Sequence, residues 1–282
     1  MASDKTTKTK RVRLRPALLF TVLFGAVALV AAWKIADYLI DERESLDYWD
    51  ELRESVVIMD KTEPPTEKVV EPSPTPDVQE PVEESMEPGE PVVDPSIPAA
   101  IDFNSLQTVG GSVVAWIFAP DTKINYAVAQ SGDNDYYLRR LLNGKGAISG
   151  TIFADYRCSA DFTDWNTIVY GHYMSNGTMF GSLANYLDQA YYEEHPVMYL
   201  YIPGQRYRLE LIAGYTTDVN DLVYHIPDSR EERDEVLARA VEKSTFLSDV
   251  TVGEEDKLVT LSTCSYAFNN ARYVVIGRLV EV

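Results

Sequence analysis

Eight short runs of apolar or alternating residues recur between residue 113 and the C-terminus, each bounded by Pro, Gly, Asn or Asp. Such runs are typical of β-strands separated by turns. They are VVAWIFA (113–119), NYAVAQ (125–130), GTIFADY (150–156), NTIVYGH (166–172), VMYLYI (197–202), YRLELIAGY (207–215), KLVTLSTCSY (257–266) and RYVVIGRLVEV (272–282). Two helical patterns interrupt them, at 178–192 and at 230–243, and the second follows the capping-box pattern Ser229-x-x-Glu232. We therefore predict a mostly antiparallel β-barrel with peripheral helices in residues 101–282.

The N-terminal region has the pattern of a membrane anchor. Residues 17–33 carry no charge, and residues 1–16 hold six Lys or Arg against one acid. At ~1.5 Å per residue, this run is close to the shortest helix that crosses a ~30 Å hydrocarbon layer. The preceding positive charges predict a cytoplasmic tail at 1–16, a transmembrane signal-anchor at 17–36 and an exterior location for the rest. A cleaved signal peptide is the alternative, because small residues near the end of the run provide a cleavage site: Ala28, Ala31 and Ala32.

Residues 37–100 are predicted to connect the anchor to the globular part. Apolar residues at helical spacing indicate that the helix continues over 37–57. Residues 61–100 then hold ten of the fifteen prolines and ten acids against two lysines. A segment of this composition cannot bury a core and is expected to be extended, so we interpret it as a spacer that lifts the domain off the membrane. The net charge of −19 argues against a nucleic-acid partner for the bulk of the chain.

Cys264 and Arg272 are candidate catalytic residues. Cys264 lies near the end of one predicted strand, and Arg272 opens the next. A hairpin would bring them side by side at one sheet edge, where a guanidinium favours the thiolate and can later hold a developing oxyanion. Spacing alone is equally consistent with a surface cation. The second cysteine, Cys158, allows a disulfide in an exterior compartment, but a domain of this size does not need one, so we expect two free thiols.

Each of the three histidines could serve as the acid/base partner of the cysteine. His172 follows the strand NTIVYG at the entry to a loop, a common place for catalytic groups on a rigid scaffold. His195 precedes a proline and is typical of a helix exit, and His225 lies in a predicted loop. Composition alone leaves the choice open, with a preference for His172.

Several strings resemble class B sortases of Gram-positive cell surfaces, in the same order along the chain. The most specific is TLSTC (260–264) with an arginine eight residues after the cysteine, and YGH (170–172) before MFGSL is the next. Further matches are VVAWIFAPDTKINYAVAQSGDNDYYL (113–138), GTIFADYR (150–157), YLDQAYYEEHP (186–196) and ARYVVIGRLV (271–280). The helical insertion at 228–244 is similar to the class B elaboration of the sortase barrel.

This resemblance implies a sortase-type closed barrel of about eight strands and a cysteine transpeptidase that needs no cofactor and no metal. Cys264 would attack a Thr carbonyl in the C-terminal sorting signal of a secreted protein, while His172 protonates the leaving amine and Arg272 steadies the intermediate. An amine of a peptidoglycan precursor or of a pilin would then resolve the thioester. The family's imidazolium–thiolate pair is thought to be a minor population.

The resemblance also implies a substrate groove. Its residues would be Asn134, Leu138, Tyr170, Thr217, Tyr224 and Ser262. Leu138 and Tyr170 are also compatible with ordinary core positions, and Asn134 with a turn cap. The chain departs from many relatives at Tyr173, where Asn is common, and at Ser265, where an acid is frequent.

Two other functions remain as alternatives. One is a sortase-like surface scaffold without activity. The other is an L,D-transpeptidase-like peptidoglycan enzyme, although such enzymes keep His-Gly-Cys close together, unlike this chain. The sorting motif and the amine acceptor are left open.

Overall fold

The computed structural model describes residues 16–59, 94–264 and 270–282. The predicted cytoplasmic tail and most of the Pro-rich segment lie outside this part of the chain. The described strands are β1 Val57–Ile58, β2 Ala100–Ile101, β3 Val113–Phe118, β4 Asn125–Ala129, β5 Ile152–Ala154, β6 Asn166–Tyr170, β7 Val197–Ile202, β8 Gln205–Thr217, β9 Leu258–Cys264 and β10 Arg272–Glu281. The α-helices are α1 Pro16–Val56, α2 Phe103–Val109, α3 Gln189–Glu194 and α4 Arg230–Lys243, with 3₁₀ helices at Tyr136–Arg139, Gly181–Leu187 and Leu222–Tyr224.

Eight of these strands close into a barrel in the order β10-β8-β7-β3-β4-β5-β6-β9. All neighbours are antiparallel except β4–β5 and β6–β9, which are parallel. The prediction of a mostly antiparallel barrel with peripheral helices is confirmed. The hairpin predicted to bring Cys264 and Arg272 side by side is confirmed, because they are direct partners in the antiparallel pair β9–β10. β10 also pairs with β8, so the closed barrel has no open edge here and the two residues meet at strand ends.

The core fills the barrel and continues under the loops on its surface. Trp116, Val128 and Leu200, from three neighbouring strands, are fully buried in it. Burial of such side chains supplies the main driving force for folding, about 1.5–3 kcal/mol each. The barrel is therefore a rigid support for the residues at its strand ends.

The helix over 230–243 has the predicted bounds and most of the predicted cap. The Ser229 hydroxyl accepts a hydrogen bond from the Glu232 amide at 3.2 Å. The Glu232 carboxylate reaches back to the Asp228 amide at 3.0 Å, one residue before the usual capping-box partner. The pattern at 178–192 instead forms two shorter elements, because Asp188 adopts an extended conformation and caps α3 by accepting from the Ala190 amide.

α1 is a single helix from the apolar run to the barrel. Its N-terminal half exposes large apolar side chains such as Phe24 and Trp33, and it is long and apolar enough to cross a membrane. Its last turns bury Trp49, Leu52 and Val56 against the barrel. The Trp49 ring meets the Tyr126 ring edge-on at a centroid distance of 5.2 Å.

The two ends of the Pro-rich segment meet on the barrel. Ile58 in β1 pairs with Ala100 in β2, so the chain leaves and rejoins the folded unit at one place. The segment therefore does not separate the helix from the barrel, as the spacer interpretation required. α1 itself carries the barrel through its packed C-terminal turns.

Candidate active site

Three neighbouring strands bring the candidate catalytic residues to one level of the barrel. In the parallel pair β6–β9, Tyr170 lies opposite Ser262, and the Gly171 amide continues the ladder by donating to the Ser262 carbonyl at 3.1 Å. His172 lies two residues after the end of β6, and Cys264 lies two residues after Ser262, at the end of β9. On the other side of β9, Cys264 is the direct register partner of Arg272. Neighbouring strands are ~4.8 Å apart, so the backbone gathers three residues that are distant in sequence.

A cleft of about 420 Å³ lies over these strands. His172 and Arg272 line it, and so do five of the six residues expected in the substrate groove, Asn134, Leu138, Tyr170, Tyr224 and Ser262. The remaining cleft-lining residues are Phe153, Arg157, Gly171, Val219 and Thr263. For Cys264 the structure describes the backbone position in β9, and Ser265 lies outside the described residues.

A short hydrogen bond determines the state of the His172 ring. Nε2 lies 2.6 Å from the Leu138 carbonyl oxygen. A carbonyl only accepts, so Nε2 carries the proton and Nδ1 is the nitrogen left to take one. Burial lowers the pKa of His172 below its usual 6.5, the Leu138 bond opposes this shift, and the positive charge of Arg139 adds to it. The imidazole is therefore neutral at pH 7.

The residue before His172 has to be glycine. A Cβ on Gly171 would lie 2.6 Å from the Phe180 ring, closer than atoms can approach. The Phe180 amide donates to the His172 carbonyl at 3.1 Å and ties the same loop down. The histidine is thus held on both sides at the point where its strand ends.

The other two histidines are occupied elsewhere. His195 caps the C-terminus of α3 and stacks on Tyr191 with a ring distance of 4.2 Å. His225 pairs with Glu232 at 3.0 Å. Neither lines the cleft. Their positions in the fold therefore distinguish the three histidines, which the sequence alone did not.

The Arg272 guanidinium has few competing partners within the part of the chain that the structure describes. Its Nη1 donates to the carbonyl oxygens of Asn270 at 3.4 Å and of Ala271 at 3.1 Å. It forms no ion pair with a described acid. A charged fork in this state is available for a carbonyl or oxyanion.

One wall of the cleft is organised by Asp155, which the sequence analysis did not single out. Its buried carboxylate accepts hydrogen bonds from Asn134 at 3.0 Å, Tyr170 at 2.9 Å and Arg157 at 2.7 and 2.8 Å. Burial alone would raise its pKa, but the bonds from these donors outweigh burial and lower it. The signal in the sequence was a pair of opposite charges, Asp155 and Arg157, directly after a buried strand.

Tyr224 forms the facing wall. Its hydroxyl lies 2.8 Å from the Ser262 hydroxyl, and its ring stacks on Tyr170 at 6.3 Å. Thr217 does not line the cleft. It is buried in β8 and helps to lower the pKa of Asp221, below the segment that carries Tyr224.

Cys158 is a buried free thiol, so it is not joined to Cys264. Burial raises the pKa of this thiol to about 12, which leaves it protonated and unreactive at neutral pH. Within residues 16–59, 94–264 and 270–282, no group of three His, Cys, Asp or Glu is arranged to hold a metal ion.

The model of the Sortase domain family matches residues 117–280, more than half of the chain. The chain belongs to the sortase family. Sortase B of Listeria monocytogenes serovar 1/2a is 36% identical over 183 residues, which are 64% of this sortase and 74% of that protein.

Solved structures agree with this assignment. A crystal structure of Staphylococcus aureus sortase B superposes with a TM-score of 0.60 and 32% identity over 64% of this sortase and 87% of that chain. Sortase B from Bacillus anthracis, solved in complex with AAEK1, has a TM-score of 0.58 and 40% identity over 64% and 84% of the two chains. This sortase is therefore a class B cysteine transpeptidase.

Proposed function

We propose that this sortase cleaves a C-terminal sorting signal of secreted proteins at a Thr carbonyl and transfers the protein to an amine. The Cys264 sulfur attacks the carbonyl carbon, the peptide C–N bond breaks, and His172 gives a proton to the departing amine. This leaves a thioester on Cys264. An incoming amine then attacks the thioester, His172 takes its proton, and the thiol is released with a new amide bond.

The observation that carries this proposal is the register of three neighbouring strands. β6 and β10 flank β9; Arg272 in β10 is the direct partner of Cys264, and His172 follows the end of β6 on the other side. Nucleophilic catalysis needs a base and an oxyanion donor within side-chain reach of one sulfur. No other cysteine or histidine among the described residues has this arrangement, since Cys158, His195 and His225 lie away from the cleft.

The electrostatics of the cleft support these roles. The neutral His172, with Nδ1 unprotonated, can take the thiol proton and return it to the leaving amine. The Arg272 guanidinium can hold the oxygen of the tetrahedral intermediate. Asn134, Leu138, Tyr170, Tyr224 and Ser262 would bind the peptide on either side of the reacting bond, whereas Thr217 would act only indirectly.

The amine acceptor would be a peptidoglycan precursor or a pilin. Staphylococcus aureus sortase B has been solved in complex with a substrate and with a triglycine peptide, which supports a peptide substrate in this cleft too. The basic tail and the apolar part of α1 support a single-pass protein with its barrel outside the cell. Protease added to intact protoplasts should then remove the barrel, and a protected barrel would refute this orientation.

The proposed chemistry is tested by trapping the thioester. A sorting-signal peptide should add its acyl part to the intact protein, and hydroxylamine should release that mass. Cys264→Ala should abolish both the adduct and cleavage, whereas Cys158→Ala should keep them as the matched control. Cleavage that survives in Cys264→Ala, or an adduct that maps to Cys158, would disprove the assignment of the nucleophile.

A further inference from the structure

We propose that Arg157 is a second cationic contact for the substrate and selects an acidic side chain remote from the bond that is cleaved. This inference rests on the proposed function, because it concerns the peptide that the cleft receives. Arg157 ends the string GTIFADYR (150–157), which matches the sortase family, but that resemblance gives it no role in the site.

The Arg157 guanidinium is held in place by hydrogen bonds, but not all of its N–H donors have a partner among the described residues. Its Nε and Nη2 donate to the two carboxylate oxygens of Asp155, and Nη2 also donates to the Tyr224 carbonyl at 3.2 Å. Arginine has five N–H donors. The two on Nη1 have no partner among the residues that the structure describes, although the side chain lines the cleft and is 42% exposed. An arginine that served only to pair with the buried Asp155 would not need to be exposed to this extent.

The charge of the cleft favours an anion. Among the residues that the structure describes, its lining includes two arginines and no Asp or Glu. Asp155 offsets part of the charge of Arg157, but its carboxylate is fully buried behind the wall and is occupied by Asn134 and Tyr170 as well. A substrate carboxylate would thus meet donors on Arg157 and no exposed acid in the lining.

The barrel order separates this contact from the reacting atoms. Arg157 follows β5, and Arg272 begins β10; β6 and β9 lie between them. Three strand spacings amount to ~14 Å. An extended peptide advances ~3.3 Å per residue, so about four residues are needed to reach from one arginine to the other. Arg157 therefore contacts a side chain outside the reacting bond and should act on binding more than on chemistry.

The test uses peptides that differ at a single position. Glu, Gln or Lys is placed in turn at each position from three to six residues before and after the scissile bond, and kcat and KM are measured with the full chain. At one position we expect Glu to exceed Gln by about tenfold in kcat/KM, through KM. Arg157→Gln should abolish this preference, and added salt should weaken it in the unchanged protein.

Arg43→Gln is the matched control, because it removes the same charge from an 85% exposed side chain on α1 and should keep the preference. If Arg157→Gln unfolds, Arg157→Lys takes its place, and it should retain a reduced preference for Glu. The inference is overturned if no position shows a preference that depends on Arg157, or if Arg157 variants lower kcat equally for every peptide. Cleavage that does not need Cys264 would instead overturn the proposed function, so the two failures are distinct.

Discussion

At the scale of single residues, the hydrogen bond from His172 to Leu138 decides how the site handles protons. It assigns the proton to Nε2 and leaves Nδ1 basic. Burial makes the charged ring unfavourable, so the resting imidazole is neutral. The imidazolium–thiolate form implied by the family resemblance would hold the same number of protons, with one proton moved from the Cys264 thiol to His172. It would then be a minor population.

The pH profile tests this assignment. The active pair shares one proton and gains a second at low pH, so the acid limb of kcat/KM reports the lower pKa of the pair. Because burial lowers the pKa of His172, we expect activity to rise with pH through a midpoint below 6.5. Arg139→Gln removes a charge that contributes to this lowering and should move the limb to higher pH. Arg140→Gln serves as its neighbouring control, and a limb above pH 7 in the unchanged protein would contradict the account.

Arg272→Lys tests whether the guanidinium supplies more than charge. Lysine keeps the charge but loses the rigid fork of donors, so we expect at least about a tenfold loss of kcat/KM, equivalent to ~1.4 kcal/mol. Arg272→Ala should lose more, while a small alkylating reagent still labels Cys264. Thermal unfolding should change little, because among the described residues the side chain hydrogen-bonds only to the Asn270 and Ala271 carbonyls. A fully active lysine variant would reduce the role of Arg272 to simple charge.

At the scale of secondary-structure elements, α4 is fastened to the cleft wall through Asp221. This buried carboxylate accepts hydrogen bonds from Arg239 at 2.9 Å and Lys243 at 2.9 Å, both on α4. It also accepts from the Tyr215 hydroxyl at 3.0 Å and the Val223 amide at 3.2 Å. Val223 precedes Tyr224 of the cleft wall, so the inserted helix holds that wall in place.

Asp221→Asn should destabilise the protein in a pH-dependent way. Burial alone would raise the pKa of Asp221, but its bonds to Arg239 and Lys243 outweigh burial and lower it. The stabilisation is therefore present above the unfolded pKa of ~3.9 and is lost as the pH falls towards the lowered folded value. We expect the variant to lose about 2 kcal/mol at pH 7, and the difference from the unchanged protein to shrink below pH 4.

Urea unfolding at several pH values measures this difference. Asp218→Asn is the matched control, since Asp218 lies in the same loop but is exposed, and it should have little effect. In peptide cleavage, Asp221→Asn should raise KM more than it lowers kcat, because Tyr224 is displaced while His172 and Cys264 are not. A destabilisation that stayed constant from pH 7 to pH 3 would show that charge is not the cause.

At the scale of the whole molecule, the end of α1 belongs to the folded unit. Asp41 accepts the Ile148 amide at 2.8 Å, Glu44 pairs with Lys145 at 2.6 Å, and Trp49 is buried. The globular part expected at residues 101–282 therefore leaves out the turns of α1 that pack on the barrel. The position of the cleft relative to the membrane would follow from a helix docked on the barrel, independently of the Pro-rich segment.

Two fragments test this boundary. A fragment that begins at residue 37 keeps the packed turns of α1, and one that begins at residue 101 loses them. Burial of Trp49, Leu52 and Val56 contributes up to about 5 kcal/mol, so the longer fragment should melt about 10 °C higher. Trp49→Ala in the longer fragment should remove much of this gain, whereas Leu39→Ala, at an exposed position, should not. Equal melting temperatures would mean that the packed turns contribute nothing.

The sequence by itself determined the local structure and the chemical strings. Strand alternation and turn residues located all eight barrel strands, since these signals act between neighbours in the chain. Ser229 marked the start of α4 for the same reason. The hairpin after Cys264 was predictable because only a short loop separates β9 from β10, and the TLSTC string with Arg272 made the family resemblance specific.

Only the tertiary structure decided what depends on distant segments meeting. Pairing of β6 with β9 brings His172 to the cleft, whereas His195 and His225 do not line it. No local sequence pattern encodes the register of two strands that are far apart in the chain. The clusters around Asp155 and Asp221 also join separate loops. The sequence therefore did not single out Arg157, and it did not show that Thr217 lies outside the cleft lining. The composition of the Pro-rich segment predicts that it is extended, which led to the spacer interpretation. Composition does not predict where the two ends of the segment lie, and the pairing of β1 with β2 brings them together.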